Sequence, residues 1–297
     1  MKIKELALLF ENDLRSLYGE EEAKALFFIA LEHFAKLNRA AYLSKKEEEL
    51  APAVLEEIES VLNQLKMHRP IQYIIGETIF YGLIFKVNGS VLIPRPETEE
   101  LVDWVIEKVN SLQLQRFGAQ SEIVHILDIG TGSGCIAISL KKNLKNVAVA
   151  ALDISSEALD IAAQNALINE VEITFITQDI LLNQESTSDD KYSVIVSNPP
   201  YITQTEKEAM HENVLANEPH LALFVSNERP LIFYEEIADY ALNNLKKEGL
   251  LFFEINEHLG KETIEMLLAK GFINTQLKKD MQGKDRMICC ERSSFEI

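Results

Sequence analysis

Leu127-Asp128-Ile129-Gly130-Thr131-Gly132-Ser133-Gly134-Cys135 sets three glycines at alternate positions directly after an apolar run, Ile123–Asp128, that reads as a buried strand. Glycines in such a turn let the chain bend tightly and leave bare backbone against which a ligand can lie. The helix expected to follow presents its unpaired N–H groups to polar ligand atoms. A dinucleotide fingerprint, G-x-G-x-x-G, requires Gly or Ala at position 135, where this chain has Cys. The spacing fits a nucleoside without a pyrophosphate better. Downstream, the strand-like runs Val147–Asp153, Ile173–Thr177, Ser193–Ser197 and Leu250–Glu254 alternate with helical stretches such as Ser155–Asn169 and Leu231–Lys247. Alternation of this kind predicts an α/β architecture around a mostly parallel sheet. The end departs from it: Ile273–Lys279 and Arg286–Glu291, joined by the turn Asp280-Met281-Gln282-Gly283, read as a terminal antiparallel hairpin. Leu182–Lys191 reads as a polar surface loop.

Upstream of the glycine loop the periodicity is helical. Leu26, Phe27, Ala30, Leu31, Phe34 and Leu37 form one apolar stripe within Glu20–Leu37, and Val54, Leu55, Ile58, Val61, Leu62 and Leu65 form another within Pro52–Met67. Pro52 suits a first helical turn. Residues 1–75 are therefore expected to be a small helical domain; without a concentration of catalytic residue types it reads as a substrate-binding or positioning domain, and structural support is the competing reading. Between Ile74 and Ile93 the pattern changes to short β-type runs punctuated by Gly76, Gly82 and Gly89, which predicts a hairpin linker over 76–93. Pro94 and Pro96 then flank Arg95, and Thr98 reads as the cap of a helix running to about Leu112. The catalytic domain is expected to occupy 94–297.

Composition bounds the function classes. The 297 residues carry 29 Lys+Arg against 47 Asp+Glu, a formal net charge of −18, and 47% are apolar. That apolar fraction excludes a largely disordered chain, and no apolar stretch approaches the roughly 18–20 residues of a membrane span. Met1–Phe10 has two lysines before a short apolar run, with no small-residue cleavage site, so it does not read as a signal peptide. Cys135, Cys289 and Cys290 are too few and wrongly spaced for a disulfide framework or a zinc site. A soluble, cytoplasmic protein without a metal is expected. Residues 1–75 hold 10 basic and 13 acidic residues, net −3, and residues 76–297 hold 19 and 34, net −15. The sequence has no basic cluster longer than a pair with which to neutralise phosphates by counterion release.

Three groups of residues carry chemistry. Asp153 ends the strand after the glycine loop, 23 residues past Gly130, where a carboxylate can accept both hydroxyls of a ribose; the competing reading is a cap for the helix beginning near Ser155. Asp179 follows the next strand and would sit near an adenine base, or serve as a loop cap. Ser197-Asn198-Pro199-Pro200-Tyr201 ends the fourth strand. Its two prolines fix φ and remove two N–H donors, so the loop presents acceptors. The Asn198 side-chain oxygen and the Pro199 carbonyl can each accept one hydrogen of an incoming NH₂ group. Tyr201 supplies a flat face for a planar partner. His125, His33, Glu47-Glu48-Glu49 and the cysteine pair read as packing or solvated surface.

Taken together, Asp128 through Gly134 and Asn198-Pro199-Pro200-Tyr201 resemble the class I S-adenosylmethionine-dependent methyltransferases that modify planar nitrogens. More narrowly, the chain resembles the release-factor glutamine methyltransferase family, PrmC or HemK. The likeness extends over the N-terminal module, Pro70-Ile71-Gln72-Tyr73-Ile74-Ile75-Gly76, Phe80-Tyr81-Gly82, Ile93-Pro94-Arg95-Pro96-Glu97-Thr98-Glu99 and Glu218-Pro219-x-x-Ala222-Leu223. The resemblance implies a Rossmann-like methyltransferase sheet with a small helical N-terminal domain. It implies transfer of a methyl group from S-adenosylmethionine to the side-chain amide nitrogen of the glutamine in the Gly-Gly-Gln loop of class I peptide chain release factors. Asp128, Gly130, Thr131, Gly132, Ser133, Gly134, Asp153, Asp179, Ile180 and Asn198 would then hold the cofactor. Asn198, Pro199 and Tyr201 would be catalytic, with Pro200, Arg95 and Glu97 beside the substrate. Ile180 departs from the family pattern, standing where several relatives carry an aromatic residue near the adenine, and whether it contacts the base is left open. Arg95 and Glu97 are placed at the site by this analogy alone, and a structural ion pair is the competing reading. An N6-adenine methyltransferase acting on DNA or RNA shares the Asn-Pro-Pro-aromatic logic. The acidic 76–297 segment and the lack of a basic or aromatic-rich recognition stretch argue against it. A nucleoside-binding protein without turnover is a third reading, opposed by the intact Asn-Pro-Pro-Tyr.

Overall fold

A computed structural model describes residues 1–116, 123–182, 191–208, 210 and 212–294; of the expected loop Leu182–Lys191, residues 183–190 lie outside them. The chain divides into two compact units, Met1–Glu77 with His211–Asn217, and Thr78–Met210 with Glu218–Ile297.

The first unit is helical. Helix α1 spans Ile3–Tyr18, α2 Glu20–Ala35, α3 Arg39–Lys45, α4 Pro52–Lys66 and α5 Ile71–Ile75. Apolar residues at helical spacing close one core: Ile3, Leu6, Phe10 and Leu14 from α1 meet Leu26, Phe27, Ala30 and Leu31 from α2 and Ile58, Val61, Leu62 and Leu65 from α4. Phe10 and Phe27 meet edge to face at 5.5 Å. Three glutamates open α2, where they complement the helix dipole, and Pro52 occupies the first turn of α4.

The second unit opens with a hairpin, β1 (Glu77–Phe80) and β2 (Leu83–Lys86). It is tighter than the sequence suggested: Ile74 and Ile75 are helical, and Gly76 terminates α5 in the left-handed region. Tyr81 and Gly82 both have positive φ, as a two-residue hairpin turn of matching twist requires. Phe80 and Phe85 insert into the core of the second unit. The hairpin is further held by helix α6 (Pro96–Arg116), whose Glu99 accepts the Tyr81 N–H at 2.7 Å and whose Asp103 accepts the Tyr81 hydroxyl.

The remaining elements are β3 (Val124–Ile129), α7 (Cys135–Asn143), β4 (Val147–Asp153), α8 (Ser156–Ile168), β5 (Thr174–Thr177), β6 (Tyr192–Ser197), β7 (Ile202–Thr203), α9 (Gln204–Lys207), α10 (Glu212–Asn217), β8 (Phe224–Val225), α11 (Ile232–Asn244), β9 (Leu245–Glu254), α12 (Gly260–Ala269), β10 (Phe272–Lys279) and β11 (Asp285–Arg292); α10 belongs to the first unit. Seven strands form one sheet in the order β10-β11-β9-β6-β3-β4-β5. The five from β9 to β5 are parallel, and β11 and β10 close the edge antiparallel. A mostly parallel sheet with an antiparallel edge matches the fold that the resemblance implies. Alternate residues of each strand enter opposite cores: Ile126, Val149, Val194 and Phe252 on one face, Leu127, Ala150, Ile195 and Phe253 on the other. Cys289 and Cys290 are both buried because both faces are covered, one cysteine on each. Helix α11 stops at Asn244, short of the expected Lys247, since the fully buried Leu245 already pairs with Tyr192 as the first residue of β9.

Asn165 of α8 was not singled out in the sequence, yet it is 0% exposed and knits three segments. Its Oδ1 accepts the Lys86 N–H at 2.6 Å, and its Nδ2 donates to the carbonyls of Lys86 at 3.0 Å and Ser133 at 2.9 Å. Asn165→Ala strands all three backbone groups, so it is expected to cost about 2–4 kcal/mol. A urea midpoint lowered with the slope unchanged would show it.

Candidate active site

The sheet order reverses between β3 and β6, the place where open α/β sheets bind ligands outside their carboxyl ends. Register brings the expected residues to that edge. Ile129 lies opposite Leu152 on one side and Ser197 on the other, and Asp153 lies opposite Thr177. Gly130, Asp153 and Asn198 therefore leave neighbouring strands at one level. The Ser197 hydroxyl donates to the Ile129 carbonyl at 2.7 Å and ties the two central strand ends together.

The glycine loop has φ values of 73°, 54° and 80° at Gly130, Gly132 and Gly134, a region that L side chains rarely adopt. A Cβ on Gly130 or Gly132 would point into open space, whereas one on Gly134 would come within 2.9 Å of Ile138 Cδ1 and 3.1 Å of Ala162 Cβ. The first two glycines thus leave open space beside the loop, and the third lets α7 pack on α8.

Beneath the loop Asp128 is 0% exposed. Its Oδ2 accepts the Thr131 hydroxyl at 2.6 Å and the Ala137 N–H at 3.2 Å, and its Oδ1 has no hydrogen-bond partner. Burial pushes this carboxyl up to about 7 against the pull of Thr131 and Ala137. Asp153 accepts the Gly132 N–H at 2.8 Å through Oδ2 and the Ser155 N–H at 3.0 Å through Oδ1; burial raises its pKa as well. The competing cap reading for Asp153 is set aside by Ser155, which caps α8 by accepting the Ala158 N–H. Asp179 accepts the Leu181 N–H at 2.9 Å and shapes the turn that carries Ile180. Ile180 is buried in the apolar core on the Leu127 face of the sheet.

At the end of β6, Asn198 Nδ2 donates to Thr98 Oγ1 at 3.2 Å. Thr98 donates in turn to Glu254 Oε2 at 2.7 Å, and the Tyr201 hydroxyl donates to Glu254 Oε1 at 3.1 Å. Glu254 is 1% exposed. Burial pushes its carboxyl above the ordinary range, while Thr98, Tyr201 and the Arg286 charge pull it back. The sequence reading of Thr98 as a helix cap is corrected here: α6 begins at Pro96, and Thr98 lies inside the first turn with its hydroxyl turned to Glu254. Glu254 itself was missed, because a carboxylate ending an apolar strand shows nothing in sequence of what it will face. The signal available was its position at the carboxyl end of a central strand.

Arg95 commits its guanidinium to Glu218 at 2.7 Å, and Glu218 also accepts the Ile93 N–H at 3.2 Å. The structural ion pair is thus present. Glu97 accepts from Gln282 Nε2 at 3.3 Å. Among the described residues, no hydrogen bond joins Arg95 or Glu97 to Asn198. The motif around Glu218 still abuts the site, since β7 and β8 pair in parallel and Ile202 N–H donates to the Leu223 carbonyl at 3.0 Å. Pro199 is buried and Asn198, Pro200 and Tyr201 are half-buried. Among the described residues there is no cluster of three or more His, Cys, Asp or Glu side chains arranged to hold a metal, and no helix long and apolar enough to cross a membrane.

Comparison with known proteins bears directly on this geometry. A family model described as the PrmC N-terminal domain matches residues 9–76, and one described as the Methyltransferase small domain matches residues 106–223. The release factor glutamine methyltransferase of Flavobacterium psychrophilum is 50% identical, covering 97% of this chain and 98% of its own. That of Bacteroides thetaiotaomicron is 40% identical, over 95% and 97%. Among solved structures, the hMettl16 catalytic domain in complex with MAT2A 3'UTR hairpin 1 superposes with a TM-score of 0.55 at 16% identity, over 81% of this chain and 82% of that one. A human methyltransferase 10 domain containing protein gives 0.51 at 18%, over 73% and 90%. These structures share the fold. Full-length relatives at such identity, with a methyltransferase sheet whose switch point carries the glycine loop and Asn198-Pro199-Pro200-Tyr201, show that the chain is a methyltransferase and belongs to the release factor glutamine methyltransferase family.

Proposed function

We propose that this enzyme methylates the side-chain amide nitrogen of the glutamine in the Gly-Gly-Gln loop of class I peptide chain release factors, with S-adenosylmethionine as donor. The residues at the switch point suit that donor. The unpartnered Asp128 Oδ1, together with Asp153 and Asp179, makes the floor acidic, which favours a ligand bearing ammonium and sulfonium charges and disfavours one bearing phosphates. Gly130 and Gly132 leave room for it. Asp128, the loop Gly130–Gly134, Asp153, Asp179 and Ile180 would hold the donor, and when bound it supplies a methyl group already activated on sulfur.

The chain's own task is to make an amide nitrogen competent, since its lone pair is delocalised into the carbonyl. Asn198 Oδ1 and the Pro199 carbonyl each accept one hydrogen of the incoming amide and fix its plane, so catalysis is by orientation and pre-organised dipoles. Tyr201 and Pro200 wall the planar group. The observation that carries this reading is the Asn198–Thr98 bond: with Nδ2 taken, the end of Asn198 left for the substrate is the acceptor Oδ1. Arg95, paired with Glu218, braces the segment that carries Thr98. Residues 1–75 would position the release factor, the 76–93 hairpin would join the domains, and 94–297 would carry the chemistry. An enzyme acting on release factors would work in the cytoplasm.

Purified protein given labelled S-adenosylmethionine together with release factors, ribosomal RNA and DNA is expected to label the release-factor glutamine alone. Label confined to nucleic acid would overturn the proposal in favour of an adenine methyltransferase. The −15 balance of residues 76–297 further implies a basic partner, so association should weaken as salt rises. Binding indifferent to ionic strength would contradict that.

A further inference from the structure

We infer that Glu254, acting through the Thr98 hydroxyl, is a positioning residue that determines which end of the Asn198 amide faces the substrate. The inference rests on the proposed amide-methylating role of Asn198 and deepens it. The argument concerns where protons can go. Thr98 has one hydroxyl proton, and Glu254 Oε2 accepts it at 2.7 Å. Glu254 Oε1 accepts a second hydroxyl proton, from Tyr201 at 3.1 Å. With its proton directed at Glu254, Thr98 Oγ1 can only accept from its other neighbour. That neighbour is Asn198, at 3.2 Å, so the end turned to Thr98 must be the NH₂.

Turned over, the amide would set Oδ1 against Oγ1, two acceptors facing each other in a buried site, or draw the Thr98 proton away from a 1%-exposed carboxylate. The chain Asn198 to Thr98 to Glu254 thus has one polarity, and it ends in the acceptor Oδ1 that a glutamine NH₂ needs. Surrounding groups hold Glu254 in this role. Its backbone carbonyl accepts the Tyr234 hydroxyl at 3.4 Å. Burial raises the Glu254 pKa, and the two hydroxyls it accepts together with the positive field of Arg286, clamped by Asp280 at 3.0 Å and Glu257 at 3.2 Å, oppose that rise. Tyr201 shares the anchor, so one buried carboxylate sets both ends of the Asn198–Tyr201 loop. Three segments remote in sequence (the Pro-Arg-Pro-Glu-Thr run, the Asn-Pro-Pro-Tyr loop and the end of β9) thereby act as one unit.

The test compares Thr98→Val, Thr98→Ser and Glu254→Gln with wild type, measuring kcat and KM for a release factor, donor affinity by calorimetry and melting temperature. Thr98→Val keeps the shape and removes the relay, so kcat is expected to fall about 100-fold with donor affinity unchanged. Thr98→Ser restores the hydroxyl and is expected to restore kcat. Glu254→Gln can present its amide NH₂ to Thr98 and is expected to lower kcat while the protein stays folded. A lower melting temperature with wild-type kcat in Thr98→Val, or a Thr98→Ser enzyme as slow as Thr98→Val, would overturn the assignment. Wild-type protein that leaves release factors unlabelled would instead refute the proposed function, so the two failures are distinct.

Discussion

Asn198→Ala is expected to lose about 10²–10³-fold in kcat on a release factor while binding S-adenosylmethionine nearly as well as wild type. The substitution deletes the acceptor Oδ1 and also the N–H donated to Thr98. Donor affinity should survive because the acidic floor of Asp128, Asp153 and Asp179 and the bare glycine backbone are untouched. The substrate amide would then be held by the Pro199 carbonyl alone, free to rotate about one hydrogen bond. Asn198→Asp is expected to be no better: it restores an acceptor but brings a second carboxylate toward the Thr98–Glu254 pair in a dry site. Single-turnover transfer of a labelled methyl group, set beside equilibrium binding of the donor, separates these effects. Near-normal turnover by Asn198→Ala would remove the orientation mechanism.

Asp128→Asn is expected to stabilise the protein without its cofactor at neutral pH and weaken donor binding about 10–100-fold, the worth of one hydrogen bond to a charged group. The sign follows from burial, which raises the Asp128 pKa from its ordinary value to about 7. The folded state then binds this proton more tightly than the unfolded chain does. Its stabilising contribution is complete below the unfolded value, near pH 4, and is lost as pH rises toward 7. A shift of that size corresponds to a few kcal/mol at most. Asparagine keeps an acceptor for Thr131 and Ala137 but carries no charge, so the variant's melting temperature should vary less between pH 5 and 8. Donor binding to wild type favours the ionised form and should release protons near pH 7, which calorimetry in buffers of different ionisation enthalpy detects. A variant with unchanged pH dependence and unchanged affinity would show that Asp128 only shapes the loop.

Much of the candidate site was legible because its residues are local in the chain. The glycine loop follows its strand immediately, and positive φ at Gly130, Gly132 and Gly134 is what alternate glycines announce. Asn198-Pro199-Pro200-Tyr201 is a contiguous acceptor loop for the same reason. Asp153 was placed by the parallel alternation that sets successive strand ends side by side. What failed was of another kind. Thr98 has the composition of a cap but serves Glu254, 156 residues away. Asn165 looks like any helical asparagine but fastens Lys86, 79 residues away, to Ser133. Each is a polar residue whose role depends on which distant group burial leaves it to satisfy.

By itself, then, the sequence determined most element types, the α/β class, the helical N-terminal module and the two motifs of the candidate site. These depend on periodicity, turn chemistry and neighbours within a few residues. Only the tertiary structure decided that Arg95 pairs with Glu218, that Asp128 has an unpartnered oxygen under the loop, and that Glu254 gathers Thr98 and Tyr201 around Asn198. Those are consequences of excluding water: once Glu254 and Asp128 are buried, each donor and acceptor near them must find its partner from whichever strand or helix the fold has brought there.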